Sequence, residues 1–273
     1  MVTKPRLKVA LWVSYVVGVA TGVVILIVSV AASAAQMPRL AAASVVTFGA
    51  FGLFCAWLLN KIPRVYPVGR RTTVLAALWG GVVATGYALL ANIAIYDHFA
   101  AAGNAPAWSL FAPFTEEPLK NVGIVVVLLL ATTQPRTALN GLVVGSFVGL
   151  GFEVVEDVVQ SINNAIAAAS PGDPDNWGSL GVDVVHEVLR RSWTGHIVLT
   201  GIAGFGIGYA MTFRQRPVMQ RWTVAAALVL LALAGHVLWN SHSFGVFYVL
   251  GQFGILAVYL WLIRIGRAWE AGG

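Results

Sequence analysis

Apolar runs of roughly 17 to 25 residues recur along this chain, separated by short stretches of Lys, Arg, Pro and Gly, and that pattern predicts helices that cross a membrane. Eight such runs are present, at 9–34, 42–59, 73–96, 115–133, 138–160, 192–213, 222–240 and 243–263. The first follows Lys4, Arg6 and Lys8 and exceeds the roughly 7 to 15 apolar residues of a cleaved signal, so it reads as an uncleaved first span. Between the fifth and sixth runs, residues 161–191 contain Pro171, Gly172 and Pro174 and read as one long loop, a partial lid. Glycines four apart (Gly18 and Gly22; Gly141, Gly145 and Gly149; Gly204 and Gly208) allow close helix crossings in lipid.

The basic residues orient these spans. With the N-terminus cytoplasmic, 13 of the 17 Lys and Arg fall on the inner side: Lys4, Arg6, Lys8, Lys61, Arg64, Arg70, Arg71, Arg136, Arg214, Arg216, Arg221, Arg264 and Arg267. Only Arg39, Arg190 and Arg191 fall outside, and Lys120 lies within a span, so the expectation is eight helices with both termini cytoplasmic. Composition agrees: 58% of residues are hydrophobic and 10% charged, against about 25% charged in an average soluble domain, which excludes a soluble globule. The net charge of +6 is scattered singly rather than gathered in a stripe, so no nucleic-acid partner is expected; the partner is membrane lipid. The single cysteine, Cys55, sits in an apolar run and excludes a disulfide framework or a Cys-based zinc site. Without an internal repeat or soluble segment, residues 1–273 read as one all-α polytopic membrane domain.

Charge is scarce, so its position is informative. Of 11 acids, Asp97, Asp173, Asp175, Asp183 and Glu187 belong to outer loops or span ends, and Glu270 to the C-terminal tail. The other five occupy two membrane windows, Glu116 and Glu117 in FTEEPLKN and Glu153, Glu156 and Asp157 in GFEVVEDV. Glu116 and Glu117 fall in the first turn of the fourth span, near the outer surface, and Glu156 lies roughly 27 Å from the inner start of the fifth. His196 is early in the sixth span, and His236 and Asn240 are late in the seventh, so all converge at one depth. Lys120 is i,i+4 from Glu116 and i,i+3 from Glu117 and can pair with either. Taken singly, an acid in a first turn favours the helix dipole, Glu153 and Asp157 fit solvated or supporting roles, and His98, His186 and His242 fit interfacial positions.

Such a set of groups suits hydrolysis, with a Glu as general base and a His and Asn stabilising an oxyanion. A second form has Glu156, His196 and His236 hold a zinc ion that activates water. From a different class, a proton-coupled transporter or a non-catalytic scaffold could use the same cluster. The inner segments 124–130, 142–148, 202–210 and 225–234 contain nothing ionisable except Tyr209, which argues for a one-sided cavity.

At these residues the chain resembles the PrsW family of intramembrane proteases, within the wider group that includes the CAAX prenyl proteases and bacteriocin-immunity membrane proteins. Glu116, Glu117 and Lys120 match an EExxK motif, Phe152 and Glu156 an FxxxE motif, His196 a later histidine motif, and His236 with Asn240 an HxxxN motif. The resemblance covers roughly 110–245; Asp157 stands where Asn is commoner. It implies cleavage of a membrane-anchored protein, such as an anti-sigma factor, near the extracytoplasmic face of the cell membrane. It makes Glu116 the general base, Glu117 its acidic partner, Lys120 their orienting group, and His236 and Asn240 the oxyanion site if no metal is bound. Glu156 replaces a His of the CAAX-type relatives, where it holds a metal or shares the base role. There is no HExxH zinc signature.

Overall fold

The structure is a computed structural model that describes residues 5–63, 65–104, 107–131, 137–169, 176–186, 194–241 and 245–272. In chain order it forms α1 (Pro5–Gln36), α2 (Pro38–Leu59), α3 (Arg70–Ala101), α4 (Trp108–Leu130), α5 (Ala138–Ala168), α6 (Trp177–His186), α7 (His196–Thr212), α8 (Val218–Asn240) and α9 (Gly245–Ala271), with no strand among the described residues. Each apolar run has become a helix. Six of them, α1, α2, α3, α5, α8 and α9, are long and apolar enough to cross a membrane, so the all-α multi-pass expectation holds at that level. The other two fall short for physical reasons. Every 18-residue stretch of α4 contains Glu116, Glu117 and Lys120, and α7 has 17 residues, all buried from His196 to Ala210 and so shielded from lipid by its neighbours.

Burial places α5 at the centre: 83% of its most apolar stretch is buried, against 6% for α1. The core forms around α5, α7 and the inner faces of α3 and α4, through Ile124, Leu142, Phe152, Leu199 and Ile202, while residues such as Val28, Leu53 and Phe247 point outward to lipid. The glycines predicted to allow close crossings do so. A methyl group added at Gly141, Gly145 or Gly149 would strike the carbonyl oxygen of Gly204, Thr200 or His196, so α5 and α7 meet backbone on backbone. In α3 a π-helical turn, Trp79–Ala84, presses Gly80 against the Val148 carbonyl and lays the Trp79 ring over Gly123. The Trp79 indole also donates to the Leu119 carbonyl at 3.0 Å, tying α3 to α4 beside the paired acids.

Two expectations are corrected. Segment 161–191 is not one loop: α5 runs on to Ala168, and α6 follows, burying Leu180 against Met37, Leu40, Phe48, Ile162 and Ala165. The apolar face of α6 (Leu180 and Val184) supplies helical spacing that the Pro and Gly residues before it obscure. Likewise α4 starts at Trp108, so Glu116 lies eight residues inside it, about 12 Å along the axis, rather than in a first turn. Pro113 and Pro118 lie within it. Lys4, Arg64, Arg136, Arg190, Arg191 and His242, together with Pro171, Gly172, Asp173, Pro174, Asp175 and Glu187, lie outside the described residues.

The α5–α7 crossing makes a prediction. Gly145→Leu should destabilise the protein by at least about 3 kcal/mol, because overpacking against backbone has no side chain to move aside. Gly49→Ala, with nothing within 4 Å of the added carbon, should melt like wild type. Thermal unfolding of the two variants in detergent checks this, and equal melting would refute the tight crossing.

Candidate active site

Five helices build the site, four of them with predicted residues: α4 supplies Glu116, Glu117 and Lys120, α5 supplies Phe152 and Glu156, α7 begins at His196, and α8 ends with His236 and Asn240. The fifth, α3, contributes Asn92, which the motifs did not identify. Lys120 is at the centre and is fully buried. Its ammonium lies 3.2 Å from Glu116 Oε2, 2.9 Å from Glu117 Oε1 and 2.9 Å from His196 Nδ1, which matches its three donors to three acceptors. The same Nζ lies 3.8 Å from the centre of the Phe152 ring, so the aromatic of the FxxxE motif faces a cation.

The donor pattern fixes the His196 tautomer. Because Lys120 can only donate, His196 Nδ1 accepts, and its Nε2–H donates to Glu156 Oε2 at 2.8 Å. His236 Nδ1 donates to Glu117 Oε1 at 2.9 Å, and its Nε2 faces Glu116 Oε2 at 3.7 Å. The two imidazole rings stand edge to face with centroids 4.8 Å apart. Glu116 is held from the other side as well: Asn92 Nδ2 donates to its Oε1 at 3.0 Å, and Thr115 Oγ1 donates to Asn92 Oδ1 at 2.7 Å.

Glu153 and Asp157 are buried, which overturns the solvated reading; Glu153 Oε2 accepts the Ile197 backbone N–H at 3.2 Å in the first turn of α7. That bond steadies the helix end that presents His196. Asn240 lines the cavity and also has a structural bond. Pro113 has no N–H to offer the Ser109 carbonyl one turn earlier, and Asn240 Nδ2 donates to that carbonyl at 2.6 Å. His186, expected at the interface, lines the cavity, its ring 6.4 Å from that of Trp239. Asn92 was legible in principle as the one amide inside the 73–96 run. The Ser109–Asn240 bond was not, because it depends on α8 meeting a broken backbone ladder.

A cavity of about 580 Å³ opens over these groups, with Glu116, Glu156, His196 and His236 on its floor and Trp108, Gln160, Asn163 and Trp239 among its walls. Ligand atoms of Glu116, His196 and His236 lie within 4.8 Å of one another. This is the donor set that converges, with Glu116 where the sequence expectation had Glu156; Glu156 instead bonds to the ring of His196. One carboxylate and two imidazoles suit zinc. Two further observations favour an additional cation. Glu116 and Glu117 place two buried carboxylates on one ammonium, and Glu117 Oε2 is buried with no hydrogen-bond partner. For His196 to ligate, one of its two ring contacts must be exchanged.

Residues 68–264 match the family model described as PrsW family intramembrane metalloprotease. No curated protein and no solved structure matches the chain.

Removal of the central ammonium tests the pairing. Lys120→Met should destabilise the protein by about 3 kcal/mol, since it leaves two buried carboxylates without their cation. Adding Glu117→Gln to Lys120→Met should recover part of the loss, so a double-mutant cycle in thermal or denaturant unfolding should be strongly non-additive. Additive effects would contradict a shared buried charge.

Proposed function

The chain belongs to the PrsW family of intramembrane metalloproteases, and from that premise we propose that it cleaves a peptide bond of a membrane-anchored protein near the extracytoplasmic face of the cell membrane. An anti-sigma-factor-like substrate is the proposed class. In this reading α4 and α7 also cross, giving eight spans with both termini cytoplasmic. The supporting observation is the convergence of Glu116, His196 and His236 on the floor of a cavity of about 580 Å³.

Glu116, Glu156, His196 and His236 carry the chemistry, and Glu117, Lys120 and Asn240 position them. In the metal-independent form Glu116 takes the proton of the attacking water, its carboxylate aimed by Asn92 and Lys120. Glu117 accepts from His236 Nδ1, so the open Nε2 is directed at the same place and the ring cannot turn over. Lys120 places one positive charge between the two carboxylates at a depth removed from water. Asn240, bonded to Ser109 O, secures the start of α4 against α8. Glu116, His196 and His236 would hold a zinc ion, which when bound supplies Lewis acidity and an activated water. A metal-independent glutamate peptidase is the second reading, favoured by the occupation of both His196 nitrogens by Lys120 and Glu156.

Glu116→Gln and His236→Ala should each lower cleavage of a reconstituted membrane substrate by about a thousandfold or more, while the protein still folds. Retained cleavage in both would reject the site. Chelation of the purified enzyme followed by zinc add-back separates the two forms: loss and recovery of activity selects the metallopeptidase, and full activity without metal the glutamate one. Orientation has its own test. Because the single Cys55 is buried and gives little background, a cysteine placed at exposed Asn164 should react with a membrane-impermeant thiol reagent added from outside intact cells. Labelling only after cells are opened would reverse the assignment.

A further inference from the structure

About 27 Å along α5 from Glu156, at the opposite end of the helix, lies a second cavity of about 200 Å³. Its walls include Tyr66, Thr137, Thr212, Phe213, Trp269 and Glu270. By sequence Glu270 belongs to a polar tail. Instead it ends α9 in a buried position, only 6% exposed.

The hydrogen bonding around Glu270 is incomplete in a directional way. Thr137 caps α5: its hydroxyl oxygen accepts the Asn140 N–H at 3.0 Å, and its one proton goes to Glu270 Oε1 at 2.8 Å. Glu270 Oε1 is therefore an acceptor, and Oε2 is buried with no partner. Protonation does not resolve this, because an Oε2–H would then lack an acceptor. No cation pairs with Glu270 among the described residues; the nearby Arg267 directs its guanidinium to the carbonyls of Lys61 and Ile62 at 3.1 and 2.8 Å.

Beside the carboxylate stands an aromatic cluster. Phe213 and Trp269 have ring centroids 4.9 Å apart, and Tyr209 stacks on Phe213 at 4.4 Å. Carboxylate, hydroxyl and ring walls together favour a cation with carbon attached: ring faces attract a substituted ammonium, whereas a hard metal ion needs about six oxygen ligands. We propose that this cavity binds a substituted ammonium group, either the ethanolamine headgroup of a phospholipid or a free primary amine. The amine donates to Glu270 Oε2, and its carbons lie against Phe213 and Trp269. The site is independent of the proteolytic reading, and Gly266, Trp269 and Glu270 lie beyond the residues that match the family model.

Native mass spectrometry of the delipidated full-length protein, given phosphatidylethanolamine or phosphatidylglycerol with identical acyl chains, tests this. Wild type should retain the ethanolamine lipid about tenfold better, the scale of one partly buried ion pair with a cation–π contact. Glu270→Gln should abolish that preference and Trp269→Leu should reduce it. Thermal stabilisation of wild type by free ethanolamine, against equimolar sodium chloride, provides a readout that needs no variant. Stabilisation by the free amine assigns the site to soluble amines, and lipid preference without it assigns the headgroup; either supports an ammonium site. Equal retention of both lipids with no ethanolamine effect overturns the proposal, as does an undiminished preference in Glu270→Gln.

Discussion

An ammonium group with no exposure to solvent, in a helix surrounded by apolar side chains, has to be matched donor for donor, and the arrangement around Lys120 follows from that requirement. Three acceptors from two helices surround it, and a ring face covers the remaining side. Because one acceptor is His196 Nδ1, the lysine also determines which nitrogen of that imidazole bears a proton, and so how it meets Glu156. Because another is Glu117 Oε1, the same carboxylate oxygen that balances the charge also receives the His236 N–H. Charge neutralisation and side-chain orientation are thus one network. A single change within it alters several donor and acceptor roles at once.

The backbone meets a parallel requirement. In lipid an unpaired carbonyl is costly, and proline within a membrane helix is tolerated only where something else satisfies the freed group. Pro113 frees the Ser109 carbonyl, and the amide of Asn240 reaches it from α8. At the start of α7, Glu153 does the same for the N–H of Ile197. These two bonds involve side chains close to catalytic candidates in sequence, yet they act on neighbouring helices. They tie α8 to the start of α4 and α5 to the start of α7.

Much of this was legible in the chain. Run lengths and glycine spacing identified the helices and the closest crossing, and the scarcity of acids isolated Glu116, Glu117 and Glu156 with His196 and His236. What escaped was of two kinds. The start of α4 and the whole of α6 were hidden because Pro113, Pro171 and Pro174 signal breaks locally, while the compensation for Pro113 comes from a residue more than a hundred positions away. The bonding partners of Asn92 and Glu153 were hidden because a polar residue in an apolar run does not show which group it meets. Its role depends on which neighbouring helix it faces, and only the three-dimensional arrangement supplies that. The same limit made Glu270 look like a solvated tail, when the capping hydroxyl of Thr137 waits for it at the foot of α5.

The crossing of α5 and α7 has a mechanical consequence. At Gly141, Gly145 and Gly149 the backbone of α5 rests on carbonyls of α7, so at these three contacts no side chain separates the helices as a compliant layer. The register of Glu156 against His196 is therefore set by main-chain contact and cannot drift by rotamer change. When the surrounding bilayer thins or thickens, tilt and sliding have to be taken up by helices that share little surface with the centre, α1 above all. The outer helices thus form a sleeve around a stiff pair, and a change in membrane thickness meets them before it meets the floor of the cavity.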